Sequence, residues 1–290
     1  MATYIEAFKR MQFPQLTKGT RRGYDQVLRK FATYCGNQDL SPALVQKYWT
    51  KEVLGHKYWK PETQNTRFKA ITKFIKWMFR MAFIRYDFSL LIHPVPVKHA
   101  QVKIYTEDQY EAIKAKVKGT CLYHSVMLGY RAGMRISDAC MLRWDSVDFQ
   151  QCIIEYIPFK TRKHGHRAMV PMPRHSDLYI ALKELHQRQV ETGMLGEVVS
   201  PEMNRSYHTS SAHPSGFSGQ LWENLRAIGV RFHVLRHSFI SKLVAAGTPW
   251  PIISQMTGMQ SFSNMVKFYA KPDIASLHSA IAKAESYEIS

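Results

Sequence analysis

The chain has 290 residues, of which 45% are hydrophobic and 21% charged, so it can build one large or two ordinary folded domains, which excludes a disordered chain. Its formal net charge of +18 predicts a polyanionic partner, with nucleic acid as the first candidate. No apolar run approaches the roughly 20 residues of a membrane-spanning helix, and the amino terminus lacks the apolar segment of a signal peptide. We therefore expect no membrane partner and a cytoplasmic location.

Positive charge is concentrated in the first third of the chain. Residues 1–98 contain 18 Lys and Arg against 6 Asp and Glu. The segment 93–103, HPVPVKHAQVK, has two prolines and few large apolar residues, and a helix start signal follows at Thr106. We therefore predict a basic helical domain over 1–92, a linker over 93–103 and a second domain over 104–290.

Two helices are predicted in the basic domain. The first lies in TRRGYDQVLRKFATYCG, where Gly36 suits a C-terminal cap and the apolar face is Tyr24, Val27, Leu28, Phe31 and Tyr34. The second lies in ETQNTRFKAITKFIKWMFRMAF, with the apolar face Phe68, Ile71, Ile75, Met78 and Phe79.

The second helix also carries a row of cations at helical spacing, Lys69, Lys73, Lys76 and Arg80. Such a row without interleaved acids repels itself in the absence of an anion. It is either an ordinary solvated face or a phosphate-binding surface, and in so basic a domain we favour contact with a nucleic-acid backbone.

The second domain is predicted to be mostly helical with one β hairpin. Two short runs rich in β-branched and aromatic residues, 153–159 and 166–172, flank the polar turn KTRKHG. Helices are expected near 107–117, 120–131, 136–143, 175–192, 217–228, 233–246 and 250–258, and a serine-rich loop near 199–216.

Two basic segments of this domain are candidates for phosphate chemistry. In GMRISD, Arg135 stands at a helix start, where its planar fork and the helix amides favour a phosphate, and Asp138 is placed to hold the guanidinium; a surface Arg–Asp pair is the alternative. In FKTRK, Lys160 lies in the hairpin turn with Arg162 and Lys163, a place where cations contact solvent or a DNA backbone.

The helix FHVLRHSFISKL places His233, Arg236 and His237 on one face. A zinc pair of the two histidines is the rival interpretation, but the Glu of an HExxH motif is absent and the spacing offers no third ligand, so we expect no metal. A core histidine would not also require Arg236. Downstream, in NMVKFYAKPD, Tyr269 is either a nucleophile or a packing residue, and composition alone does not distinguish them.

Taken in order, the segments with Arg, Lys, His-x-x-Arg and Tyr resemble the tyrosine recombinase, or phage integrase, family. The resemblance implies that the catalytic residues are Arg135, Lys160, His233, Arg236 and Tyr269, with Asp138 and His237 as supporting residues. It also implies a mainly α fold with a small antiparallel β-sheet. In that fold a helical, SAM-like core-binding domain and the catalytic domain form a C-shaped clamp around DNA.

One position departs from the family pattern. The family usually has a histidine, or sometimes a tryptophan, nine or ten residues before the tyrosine. Here TGMQSFSNMVKFY offers Met259 or Gln260. Gln260 could donate a hydrogen bond to a phosphoryl oxygen and Met259 could not, so we expect weaker transition-state stabilisation at this position.

The resemblance implies a DNA recombinase or integrase of a bacterial, archaeal or viral mobile element, working at the nucleoid through a 3′-phosphotyrosyl intermediate without metal, ATP or other cofactor. The implied partners are double-stranded DNA with a specific site, three further copies of the chain in a tetramer, and accessory DNA-bending proteins. The C-terminal segment SLHSAIAKAESYE is expected to form a helix that docks on a neighbour or packs in its own chain.

Three alternatives stay open at this point. The first is a DNA-binding protein that has kept the scaffold and lost catalysis, and the second is a telomere resolvase or type IB topoisomerase with the same cleavage chemistry. The third is a plain nucleic-acid-binding module whose motif residues only contact phosphate.

Overall fold

The computed structural model describes residues 1–97, 102–162, 165–197, 199, 215–269 and 281. The chain divides into two compact units, Met1–Lys98 and His99–Ser290, and each unit has its own hydrophobic core. Both units are mainly helical and the second contains a small antiparallel sheet, as predicted, although the sheet has three strands where the sequence pattern indicated two. No helix in the described part of the chain is long and apolar enough to cross a membrane.

The first unit is built from four α-helices, α1 Ala2–Gln12, α2 Lys18–Cys35, α3 Pro42–Tyr48 and α4 Pro61–Arg80, with one π-helical segment at Trp49–Leu54. Helix α2 begins where the Thr17 side chain accepts a hydrogen bond from the amide of Thr20 and ends at Gly36, whose φ is 55°. Helix α4 begins with Pro61, which is pre-set for the first helical position. The helices pack around Phe8, Phe31 and Phe74, which are fully buried.

The apolar face predicted for α4 needs one correction. Ile71, Ile75 and Met78 are buried, but Phe79 is 44% exposed, and Phe74 fills the core instead. Phe79 lies one residue before the end of the helix, where the core-facing position is taken by Met78.

The predicted linker begins as part of the first unit. The side-chain amide of Asn65 in α4 donates to the carbonyl of Val95 at 2.8 Å and accepts from its amide at 2.7 Å. Val95 also packs against the first core. The boundary between the two units lies at Lys98 and His99, outside the described residues.

The second unit contains eight helices within the described residues: α5 Glu107–Val117, α6 Tyr123–Arg131, α7 Ile136–Cys140, α8 Asp177–Glu191, α9 Ser215–Ala227, α10 Phe232–Ala245, α11 Trp250–Thr257 and α12 Phe262–Tyr269. The sheet consists of β1 Val147–Asp148, β2 Ile153–Tyr156 and β3 Ala168–Pro171, in the order β1-β2-β3. Most of the segment predicted as a serine-rich loop, and all but one residue of the predicted C-terminal helix, lie outside the described residues.

Strands β2 and β3 form the predicted hairpin, with Ile154 opposite Val170 and Tyr156 opposite Ala168. These four side chains are buried. The strands are shorter than the sequence pattern because Pro158 has no amide to donate to a partner strand, and its carbonyl instead accepts from Thr161 in a turn.

Helix α7 is also shorter than predicted. The sequence pattern extends to residue 143, but the helix ends at Cys140. Beyond it the chain pairs with a distant segment: the carbonyl of Leu142 accepts from Val199, and the amide of Trp144 donates to Glu197. These long-range hydrogen bonds satisfy the backbone and compete with continuation of the helix.

Helix α10 lies at the centre of the second core. Leu235 and Ile240 are fully buried, and Phe239 packs over the loop that follows α6. That loop turns at Gly133, where φ is +60° and an added Cβ would lie 2.3 Å from Cδ1 of Phe239. Only glycine allows both this backbone conformation and this close approach, which brings the carbonyl of Gly133 next to α10.

Candidate functional site

A buried arginine is the centre of the candidate site. Arg236 lies on the core side of α10 and is only 2% exposed. Its Nη1 donates to the carbonyl of Gly133, and its Nη2 donates to the carbonyl of Thr257 at 2.9 Å. Burial and the nearby charge of Arg135 lower the pKa of Arg236 to about 10, so the group remains cationic at neutral pH.

Arg135, at the start of α7, also approaches the carbonyl of Thr257. Its Nη1 lies 3.5 Å from the carbonyl oxygen of Thr257, and its Nη2 donates to the carbonyl of Gly258 at 3.3 Å. We call Arg135 and Arg236 the arginine pair. They share the C-terminal end of α11, where the helix dipole and the unsatisfied carbonyls attract cations.

Asp138 is the buried acid beside the arginine pair. Its Oδ1 accepts from the amide of Phe159 at 2.8 Å, and its Oδ2 lies 3.8 Å from Nη1 of Arg135 without a hydrogen-bond partner among the described residues. Burial raises the pKa of Asp138, while the Phe159 amide, Arg135 and Arg236 act in the opposite direction. The carboxylate thus joins the start of α7 to the hairpin and faces the guanidinium of Arg135.

The predicted tyrosine lies at the last position of α12, against α10. The phenol oxygen of Tyr269 is hydrogen-bonded to Nδ1 of His237, and the two ring centroids are 5.5 Å apart. Burial raises the pKa of Tyr269 to about 12, with Arg236 acting in the opposite direction. The phenol is therefore protonated at neutral pH, and the charge of Arg236 acts on it.

His233 lies one helical turn before His237 on α10. The two imidazole rings meet edge to face, with centroids 4.2 Å apart. Desolvation lowers the pKa of both rings, to about 4 for His237. Arg236 contributes to both shifts, and the charge of Lys160 contributes to that of His233.

Lys160 is exposed in the turn that follows β2. The charge of Lys160 acts on His233 and helps to lower the pKa of that imidazole. Arg162 stacks on the ring of Phe159, with its guanidinium carbon 4.4 Å from the ring centroid. Lys163 lies outside the described residues.

Met259 and Gln260, which lie where the family usually has a histidine, differ in their exposure to solvent. Met259 packs against the second core, and its carbonyl accepts from the hydroxyl of Ser254 at 2.7 Å. Gln260 is exposed. Gln260 is the one of the two whose side chain combines exposure with a hydrogen-bond donor.

The predicted row of cations in the first unit borders a cleft of about 510 Å³ between α1, α2 and α4. Lys69, Lys76 and Arg80 are exposed and Lys73 is partly buried, and none has an acidic partner within ion-pair distance among the described residues. The cleft is lined by Met11, Gln12, Tyr24, Lys69, Thr72, Lys73, Lys76, Trp77, Arg80 and Met81.

The arrangement in the second unit suits a tetrahedral anion. Among the described residues, Asp138 is the one carboxylate that acts on the arginine pair, so Arg135, Arg236 and Lys160 give the site an excess of positive charge. Its guanidinium groups are held by backbone carbonyls and are therefore pre-organised to bind phosphoryl oxygens. Across the described ranges, no group of three or more His, Cys, Asp or Glu side chains is arranged to hold a metal ion.

Sequence reasoning missed the backbone of the site. Thr257, which is fully buried, offers its carbonyl to both arginines, and Gly133 offers its carbonyl to Arg236. Gly258 adopts a left-handed conformation as the C-terminal cap of α11. The available signal was the threonine–glycine end of a predicted helix, since unsatisfied carbonyls at such an end attract cations.

Comparison with known proteins identifies the family of this chain. The family model described as the phage integrase family matches residues 103–275. Tyrosine recombinase XerA of Pyrococcus furiosus is 22% identical over 286 residues, which cover 91% of this chain and 95% of XerA. A tyrosine recombinase XerC-like protein of Caldanaerobacter subterraneus is 23% identical over 58% of this chain, and that match spans 50% of the relative's length.

Solved structures show the same fold. The Tn1549 transposon integrase in complex with transposon right-end DNA has a TM-score of 0.72 at 14% identity, covering 98% of each chain. A lambda integrase tetramer bound to a Holliday junction has a TM-score of 0.67 at 14% identity, covering 94% of this chain and 79% of the other.

Proposed function

The chain belongs to the phage integrase family, and from this premise we propose that it is a site-specific DNA recombinase that cleaves and rejoins duplex DNA through a 3′-phosphotyrosyl intermediate. The observation that carries the proposal is the convergence of the arginine pair, two histidines and the Tyr269 phenol, drawn from α7, α10 and α12. These elements supply the nucleophile and the charge stabilisation that cleavage of a phosphodiester requires.

In the proposed cleavage, the Tyr269 oxygen attacks the scissile phosphorus and the bond to the 5′ oxygen breaks. The arginine pair donates hydrogen bonds to the non-bridging oxygens, where negative charge grows. His233 adds a further hydrogen bond to the phosphoryl group or accepts the phenol proton that Tyr269 loses as it attacks. Lys160, whose charge acts on His233, gives a proton to the departing 5′ oxygen.

The covalent intermediate accounts for rejoining. A phosphotyrosyl ester preserves a phosphate ester bond, so a 5′-hydroxyl of another strand can reverse the step without a nucleotide cofactor. The two guanidinium groups supply the positive charge that divalent ions supply in many nucleases, so the proposed reaction is independent of metal.

The proposed partner is duplex DNA carrying a specific site. The Tn1549 integrase structure holds transposon DNA, and the lambda integrase structure is a tetramer on a Holliday junction, which supports a tetramer of this chain on paired sites. The cationic row on α4 is proposed to contact the DNA backbone.

The proposal is tested with DNA fragments flanking the gene, incubated with the protein and then denatured. We expect a covalent protein–DNA adduct from wild type and none from Tyr269→Phe. Tyr58→Phe is the matched control, because Tyr58 is 89% exposed in the first unit. If wild type binds a fragment and never forms an adduct, the binding-protein alternative replaces the recombinase. If it relaxes any supercoiled plasmid regardless of sequence, the topoisomerase alternative replaces it.

A further inference from the structure

We propose that His237, rather than His233, accepts the phenol proton of Tyr269 when the nucleophile attacks DNA. The inference rests on the proposed strand cleavage and adds a proton acceptor to it. The family resemblance assigns His237 a supporting role without a chemical step. In the structure, however, its Nδ1 is hydrogen-bonded to the oxygen of Tyr269.

The first observation is the contact itself. Nδ1 of His237 is the hydrogen-bond partner of the Tyr269 oxygen, and within the described residues no hydrogen bond joins His233 to that oxygen. When both groups are neutral, the phenol donates and Nδ1 accepts, so the proton already points at its acceptor. His233 lies one helical turn earlier on α10 and is more exposed than His237.

The second observation is the charge around His237. The ionisable groups acting on its ring are His233 and Arg236 on α10 and the Tyr269 phenol on α12, and no other charged side chain of the described elements acts on it. Burial, His233 and Arg236 lower its pKa to about 4, so the imidazole is neutral and free to take a proton. A phosphodiester bound by the arginine pair brings negative charge and raises that pKa in the complex.

The step balances with the groups present. The bond from the Tyr269 oxygen to phosphorus forms as the bond from phosphorus to the 5′ oxygen breaks. The phenol proton moves to Nδ1 of His237, and Lys160 gives a proton to the 5′ oxygen. On rejoining, the attacking 5′-hydroxyl gives its proton to Lys160 as its bond to phosphorus forms, and the protonated His237 returns its proton to the departing phenolate, so both groups regain their starting states.

Two substitutions separate proton transfer from positioning. His237→Asn places an amide where Nδ1 lies, so it retains a hydrogen-bonding group for the phenol but has no basic nitrogen. His237→Ala removes both. His175→Asn is the matched control, because His175 is exposed in the loop before α8. The measured quantity is the single-turnover rate of adduct formation on the flanking-DNA fragment that wild type cleaves, from pH 6.5 to 8.5.

We expect both His237 variants to form the adduct about 100-fold or more slowly at pH 7, the usual contribution of a general base. Their rates should rise about tenfold per pH unit, because hydroxide must then remove the phenol proton, whereas wild type and His175→Asn should change little. A wild-type rate for His237→Asn would overturn the proposal, since it would mean that the ring only positions the phenol.

A measurement without DNA tests the contact separately. In protein labelled with ¹⁵N-histidine, Tyr269→Phe should move the Nδ1 resonance of His237, and an unchanged resonance would also overturn the proposal. If wild type forms no adduct on any fragment, the strand-cleavage function fails. If wild type forms the adduct and His237→Asn matches it, only the role of His237 fails.

Discussion

Arg236 is a buried cation whose two hydrogen bonds join three parts of the second unit. Its guanidinium links α10 to the loop after α6 and to the end of α11. A buried charge is costly unless it is compensated, and here backbone carbonyls and the nearby Asp138 compensate it. These hydrogen bonds fix the orientation of the Arg236 guanidinium before any ligand binds. Such preorganisation is the condition for stabilising charge in a transition state.

At the residue scale, Arg236→Lys should lower the rate of adduct formation by about 100- to 1000-fold, the usual effect of losing one preorganised donor. Lysine keeps the charge but cannot donate in two directions from a planar fork. Arg143→Lys is the control, because Arg143 forms exposed ion pairs with Asp145 and Glu197. A single-turnover assay on both variants decides the matter, and equal rates would contradict a bidentate role for Arg236.

Gly133→Ala tests the close approach that places the carbonyl beside Arg236. Gly165→Ala is the matched control, since Gly165 has a similar φ of +67° but open space around an added Cβ. Both variants should lose about 1–2 kcal/mol of unfolding free energy through backbone strain. Gly133→Ala should lose about 1–3 kcal/mol more, because its Cβ meets Phe239. Urea denaturation measures both, and equal losses would contradict the packing argument.

The helix face on which a site residue lies could be predicted from the sequence, but the partners that it contacts could not. The spacing of His233, Arg236 and His237 on one helix face is visible in the sequence, because a side chain's face follows from the 3.6-residue period. The partners of Arg236 are backbone carbonyls of Gly133 and Thr257, which carry no side-chain signature. The contact between His237 and Tyr269 depends on how α12 packs on α10, which local pattern does not encode.

At the element scale, the sequence predicts helices well where caps and apolar spacing agree. Helix α5 follows this rule, since Thr106 and Gln109 form a capping box at its start. The predictions were wrong where long-range pairing competes, as at the end of α7, and incomplete for short elements. The sequence analysis did not predict helices α1, α3 and α12 or the two-residue strand β1, because tertiary contacts stabilise them more than local propensity does.

Helix α4 carries a prediction about DNA binding. Lys73→Gln with Lys76→Gln should weaken binding and reduce the slope of log affinity against log salt by about 2, because each phosphate contact releases about one counterion. Lys47→Gln with Lys51→Gln is the control, since both lysines are exposed in the same unit, away from the cleft. Fluorescence anisotropy at several salt concentrations gives the slopes, and equal slopes for the two double variants would contradict a backbone contact by α4.

At the scale of the whole molecule, charge and chemistry are divided between the two units. The first 98 residues hold most of the net positive charge, and the second unit holds the arginine pair, the histidines and Tyr269. Counting charges along the chain predicted the basic first unit, and the helical spacing of apolar residues predicted the mainly helical class, because both are visible in local sequence. The arrangement inside the second unit depends on residues far apart in sequence, so it required the fold.

The most direct test of the account is the chemical identity of the link between protein and DNA. The adduct formed on flanking DNA, in the presence of a metal chelator, is digested with protease and nuclease and analysed by mass spectrometry. We expect one modified peptide, in which Tyr269 carries the 3′-phosphate of a nucleotide. A link through another residue, a link to a 5′-phosphate, or an adduct that requires a divalent metal ion would contradict it.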